Sequence, residues 1–373
     1  MDALEAARAR VRRWLQGYPP PGARVVDELE CMLSVLLAIL IAHLVGARNI
    51  SWAAFSGCMV MRGHIADSLL RGTLRVLGTA IGAGLALLIV PAVQLSWPMA
   101  SLAGAAIGGV TLYGALTGRR SYAWLFVGLT FEMILLDKIE HPNHAIAAFA
   151  STRLLEVTSG TGACIIVSTL SALTARRRWP GSRAPAPQRI GWHRHALRHA
   201  AQGVVALAFL PLLGSVFAVR ELAQSAISIM AVMLVPVSSL GASGLVPVSR
   251  KLVQRTAGCL AGAALASPVL FAAQGRAAVL IAGTAIGVLL GRHIENGGHS
   301  LAYVGTQFTL AILITLVPDS FADAAISPAL DRLSGILLGM ALLEPVLVAW
   351  HLVAPERGSR SSPQVASNGT TGE

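Results

Sequence analysis

The chain has 373 residues, 54% of them apolar and 13% charged, with a mean hydropathy of +0.66. A soluble domain carries roughly 25% charged residues, so the composition argues against a soluble fold and for a membrane protein. The formal net charge of +11 comes with no basic run interleaved with aromatics and no nucleic-acid-binding motif, so no nucleic-acid partner is expected.

Residues 1–26 read as a cytoplasmic N-terminal segment. Charge is plentiful there, and Tyr18-Pro19-Pro20-Pro21-Gly22 ends the segment without an apolar run, which excludes a secretory signal. Residues 2–16 have the pattern of a short basic amphipathic helix lying on the inner membrane surface. Apolar segments follow near 30–47, 50–62, 73–91, 98–117, 121–137 and 153–174. A linker rich in Arg and Pro, 176–195, is expected to be irregular and cytoplasmic. A second set of apolar segments falls near 197–216, 222–241, 254–272, 277–291, 300–317 and 333–353. The tail, 355–373, is polar and reads as disordered and cytoplasmic. The expected fold is all-α: a polytopic membrane protein of about 12 transmembrane helices, arranged as two parallel six-helix repeats over 27–175 and 196–354.

The repeat rests on recurring residues. Arg71, Arg75, Gly78, Thr79 and Gly82 return as Lys251, Arg255, Gly258 and Gly262, and Arg153 with Gly160 returns as Arg332 with Gly339. The second segment of each half is short and interrupted, by Gly63 and His64 in one and by Pro236, Ser238, Ser239 and Gly241 in the other. Short, broken segments in corresponding halves point to a transport site. The alternative is a kinked helix with a flexible turn.

Basic residues set the expected orientation. With the N-terminus cytoplasmic, only Arg48, Lys138, Arg153, Arg220, Arg276 and Arg332 fall on the outer side, together with the acids Asp137, Glu140, Glu221, Asp319, Asp323 and Asp331. Both termini are then cytoplasmic, in a bacterial inner membrane, with membrane lipids as neighbours.

The candidate substrate-binding residues are Arg75, Arg255, Arg153 and Arg332. Arg is permanently charged and offers a planar fork to carboxylates, so symmetric arginines near a pore mouth would recruit organic anions. Arg75 and Arg255 fall near the cytoplasmic ends of their segments, where the alternative is snorkelling to lipid headgroups. The candidate proton-coupling residues are Glu132, which lies mid-span, and Glu156, three residues from Arg153 on one helix face; Glu344 is a third. A structural hydrogen bond is the alternative for each. His43 and His64 read as packing residues, and Asp137, Glu140, His141 and His144 as a chance cluster rather than a metal site. Cys31, Cys58, Cys164 and Cys259 read as small buried residues. Gly78-x-x-x-Gly82, Gly104-x-x-x-Gly108 and Gly258-x-x-x-Gly262 are expected to bring helices close within or between halves, with a homodimer as the lesser use.

No phosphate-binding loop, His-Glu-x-x-His pair or nucleophile elbow occurs. The chain is therefore expected to be no enzyme and to need no cofactor or metal.

Ser51-Trp52-Ala53-Ala54, Arg71 through Gly82 with Gly78-Thr79, Tyr122 to Leu135 with Gly128-Leu129-Thr130, and Arg153-x-x-Glu156-x-x-x-Gly160 together resemble the fusaric acid resistance and aromatic acid exporter family. The likeness covers most of both halves and is clearer in the first. It implies an inner-membrane protein that exports aromatic or other weak organic acids beside a periplasmic adaptor protein; plant malate channels are distant relatives. The chain departs from the family in its short linker and tail, where many members carry a sizeable cytoplasmic domain after each half. The expected function is export of small organic anions driven by the proton motive force. The alternatives are a potential-driven anion channel, or a non-transporting scaffold or regulatory subunit of an envelope complex.

Overall fold

A computed structural model describes residues 21–183, 190–219, 221–240, 244–297, 300–319 and 325–353. The N-terminal amphipathic segment, the middle of the linker, the C-terminal tail, Arg220, Gly241 and Asp323 lie outside the described residues. Helices account for most of the rest, and no strand occurs among the described residues. In chain order they are α1 (Pro21–Leu44), α2 (Ile50–Val60), α3 (Ile65–Val93), α4 (Trp97–Thr117), α5 (Ser121–Glu140) and α6 (Ile146–Leu173). A single turn, Ala175–Arg178, precedes α7 (Arg194–Phe217), α8 (Leu222–Met233), α9 (Leu245–Ala273), α10 (Ala277–Glu295), α11 (Ala302–Leu316) and α12 (Ser327–Val353). Seven of these, α3, α4, α6, α7, α9, α10 and α12, are long and apolar enough to cross a membrane, and α2, α8 and α11 are shorter apolar helices. This is a multi-pass membrane protein.

Local chemistry sets the ends. His64 Nδ1 accepts from the Ala66 amide to cap α3 (3.2 Å), and His193 does the same for Ala196 at α7 (3.4 Å). The segment expected at 222–241 stops as a helix at Met233. Pro236 offers no amide donor and disfavours helical geometry at the residue before it. The freed carbonyls find side chains: Met233 O meets His199 Nε2 at 2.9 Å, and Leu234 O accepts from Lys251 Nζ. In the first half α2 stops at Val60, and the turn after it is clasped by Ser68 Oγ, which bonds both the amide and the carbonyl of Arg62 (2.9 and 3.2 Å).

Helix neighbours recur along the chain. α3 packs on α5 and α6, and α9 packs on α11 and α12; α2 lies on α6, and α8 on α12. Across the middle of the chain α4 packs on α7, and α10 on α1. Close backbone approach is visible at Gly78 and Gly258. A Cβ there would stand 2.7 Å from the Ala123 carbonyl oxygen and 2.6 Å from that of Val304, so the small-residue spacing lets α3 and α9 lie directly on α5 and α11.

Two carboxylates cap the short helices from distant segments. Glu140, at the end of α5, accepts from the amides of Glu221 (3.2 Å) and Leu222 (2.7 Å) at the start of α8. Asp319, just past α11, accepts from the Ile50 amide at the start of α2 (2.9 Å). Burial raises the Asp319 carboxyl above its usual range, against the lowering effect of that amide. At another edge, α1 is pinned by ion pairs. Asp27 meets Arg292 (2.7 Å) and Arg176 (3.5 Å), and Glu30 meets Arg176 (2.5 Å). Glu28 Oε1 also lies in hydrogen-bond reach of His293 Nδ1 (2.9 Å).

Candidate functional site

One cavity of about 250 Å³ opens among α2, α3, α5, α6, α8, α9, α11 and α12. Six cationic side chains line it: Arg71, Arg75, Arg153, Lys251, Arg255 and Arg332. Among the described residues no acid does. Trp52, Phe55, Tyr122, Phe126 and Tyr303 supply aromatic wall, and the remainder is mostly aliphatic. The four arginines expected from the sequence to bind substrate are thus brought to one place.

Arg75 and Arg255 are buried, at 0% and 2% exposure. Their helices begin at Ile65 and Leu245, earlier than the expected starts at 73 and 254, so both lie well inside the helix instead of near its end. Neither snorkels. Arg75 Nε donates to Ser56 Oγ (3.2 Å) and Nη1 to the Tyr122 hydroxyl (2.9 Å). Its guanidinium lies 4.8 Å from the Phe55 ring centre and 4.2 Å from that of Phe126. Arg255 repeats the first two contacts, with Ser228 Oγ at 3.2 Å and the Tyr303 hydroxyl at 3.5 Å. In place of a ring it has Gln307 Oε1 at 3.0 Å.

Arg153 and Arg332 follow the same division. Arg153 Nη1 pairs with Glu156 Oε2 at 3.1 Å, and its guanidinium stands over Trp52 (4.2 Å) and Phe149 (4.9 Å). Arg332 donates to Gln307 Oε1 (3.3 Å) and Gln224 Oε1 (3.5 Å). Arg71 stands over the Tyr122 ring at 4.0 Å. A buried guanidinium that lacks a carboxylate partner is costly unless its donors are met and an anion arrives. The cavity therefore favours a negatively charged occupant with an apolar or planar body.

The two candidate acids separate. Glu156 is buried beside the cavity, and Oε1 accepts from the Asn49 amide (3.1 Å) and side chain (2.9 Å). It both balances Arg153 and holds the residue that precedes α2. Glu132 does not line the cavity. Both its oxygens are buried without a hydrogen-bond partner, and they lie against α4, where Gly104 and Gly108 leave them room. Cβ atoms at those glycines would stand 3.2 and 3.1 Å from the carboxyl oxygens. This pair of glycines accommodates a carboxyl group as well as a helix.

The remaining candidates are placed plainly. Glu344 accepts from Ser249 Oγ at 3.1 Å. His43 is exposed and His64 is the α3 cap. Asp137 meets His141 Nδ1 at 3.3 Å and His144 Nδ1 at 3.5 Å, while Lys138 Nζ donates to the Pro142 and His144 carbonyls of the same loop. Cys31 and Cys58 meet at 3.4 Å between α1 and α2 as free thiols.

Residues 37–167 match the fusaric acid resistance protein-like family. No curated protein and no solved structure matches the chain. The fusaric acid resistance protein-like segment contains Arg75, Glu132, Arg153 and Glu156, whereas Arg255 and Arg332 lie beyond it.

Sequence reasoning overlooked the side chains that hold the arginines. Tyr122 and Tyr303 lie 47 and 48 residues after Arg75 and Arg255, so the repeat carried a signal for them. Gln307 and Gln224 had no such signal, because their counterparts Phe126 and Trp52 are aromatic.

Proposed function

We propose that this chain is an inner-membrane exporter of small organic anions, aromatic or other weak acids, driven by the proton motive force. The observation that carries this reading is a single cavity with six cations, aromatic wall and no acid among the described residues. Arg75, Arg255, Arg153 and Arg332 receive the carboxylate. Two six-helix units in parallel repeat, about 12 spans in all, surround it with both termini in the cytoplasm. The like neighbours of α1–α6 and α7–α12, and the matched Arg–Ser–Tyr sets around Arg75 and Arg255, support that arrangement. A periplasmic adaptor and a second copy of the chain are its expected partners. With the cell interior negative, outward movement of an anion is favoured by about 2.3 kcal/mol per charge per 100 mV.

Coupling is assigned to Glu132, a buried acid with no hydrogen-bond partner among the described residues. Its separation from the cavity favours a second reading, in which anions pass down the potential without a proton. Efflux of preloaded hydroxybenzoate from cells, with wild type and Glu132→Gln, tests both. Under the first reading efflux needs a pH gradient and fails in the variant. Efflux that follows potential and ignores the variant supports the channel. No efflux from correctly inserted protein overturns both.

A further inference from the structure

The two sides of the cavity are unequal in a way that assigns an orientation to the anion. Arg75 and Arg255 share a serine and a tyrosine partner, but other positions around them differ, Phe55 standing where the second side has Ile227. Phe126 stands where the other side has Gln307, Trp52 where it has Gln224, and Glu156 where it has Gly335. On the first side the guanidiniums lie against aromatic rings, and Arg153 already holds a carboxylate, Glu156, at 3.1 Å. On the second side Arg255 and Arg332 converge on one neutral oxygen, Gln307 Oε1, at 3.0 and 3.3 Å. Neither has a carboxylate partner among the described residues. Arg255 Nη2 and Arg332 Nε are buried without an acceptor, as are Arg71 Nε and Arg153 Nε on the first side, so what separates the two sides is the resident carboxylate of Glu156. Two buried like charges whose acceptors, Gln307, Gln224, Ser228 and Tyr303, are all neutral leave an unmet demand for an anion. On the first side Glu156 meets that demand for Arg153.

We propose that the occupant binds one way round, with its carboxylate between Arg255 and Arg332 and its planar or apolar body against Trp52, Phe55 and Phe126. Glu156 then serves as the built-in counter-ion of Arg153, and the glutamines on the opposite side keep that subsite open. The assignment rests on the anion-cavity reading above. It adds that the two sides have different work, carboxylate on one and ring on the other.

The deciding variant is Gln307→Glu, which is nearly isosteric and supplies Arg255 and Arg332 with a resident carboxylate. Full-length protein in lipid nanodiscs is titrated with benzoate, and its thermal unfolding is followed alongside. The expected result is a melting temperature equal to or above wild type, with benzoate affinity down at least tenfold. Arg332→Gln should also weaken benzoate at least tenfold, while Trp52→Ala should weaken benzoate by a larger factor than acetate. A folded Gln307→Glu protein that binds benzoate as wild type does overturns the orientation and leaves the anion cavity standing. A Gln307→Glu protein that does not fold overturns it as well, because the proposed pairing should stabilise. Wild type that binds no benzoate overturns the orientation and the exporter reading together.

Discussion

An arginine inside a membrane-spanning helix must spend its donors on the protein or on a ligand. Arg75 spends Nη1 on the Tyr122 hydroxyl at 2.9 Å, whereas the matching Arg255–Tyr303 contact is 3.5 Å and is backed by Gln307. Tyr122→Phe is therefore expected to cost about 1.5–3 kcal/mol, the range for a hydrogen bond to a charged group. Tyr303→Phe should cost less than half as much. Chemical unfolding of the two variants in detergent checks this, and equal losses would count against it. All four site arginines were visible in the sequence, because intramembrane charge is rare enough to stand out. Glu156 beside Arg153 was visible too, and the repeat marked Tyr122 and Tyr303, but a glutamine in an apolar run carries no mark of its neighbours across the fold.

At the level of elements, α3 and α9 lie on α5 and α11 through glycines whose Cβ positions are filled by backbone oxygen. Backbone cannot rotate away as a side chain does. Gly78→Ala and Gly258→Ala should each lose about 1–3 kcal/mol, the usual cost of overpacking. Gly84→Ala, with nothing within 4 Å of the added methyl, should be neutral or slightly stabilising. Differential scanning of the three variants in one detergent gives the comparison, and a Gly84→Ala loss as large as the others would refute it. Helix existence and order followed from hydropathy alone, and α4 and α12 end within a residue of the expected 117 and 353. Several helices begin six to nine residues before the expected starts, and one ends early. The expected 222–241 helix ends at Met233 because Pro236 interrupts it and His199 and Lys251 take the released carbonyls.

Across the whole molecule, distant segments are joined by charge as well as by apolar packing. Asp27 binds Arg292 at 2.7 Å and Arg176 at 3.5 Å, tying α1 to α10 and to the turn after α6. These side chains are largely buried, and removing one partner strands the others. Arg292→Ala should destabilise by about 3–5 kcal/mol, as for other broken buried pairs. Added salt should rescue little of this loss, since buried charges are weakly screened. Unfolding in detergent at low and high salt measures both effects, and a small, salt-sensitive loss would contradict the assignment. Glu140 and Asp319 add the reverse kind of tie, each capping a short helix that lies far off in the chain.

The sequence by itself determined the class of protein, the order of its helices and four of the six cations that line the cavity. Hydropathy and rare charge are local properties, readable one segment at a time. Only the tertiary structure decided that those arginines share one cavity and that Glu132 turns away from it into the space left by Gly104 and Gly108. It also decided that Arg255 and Arg332 converge on Gln307 Oε1. Such outcomes depend on which helix faces meet, and that is set by close packing and charge pairing between segments far apart in the chain.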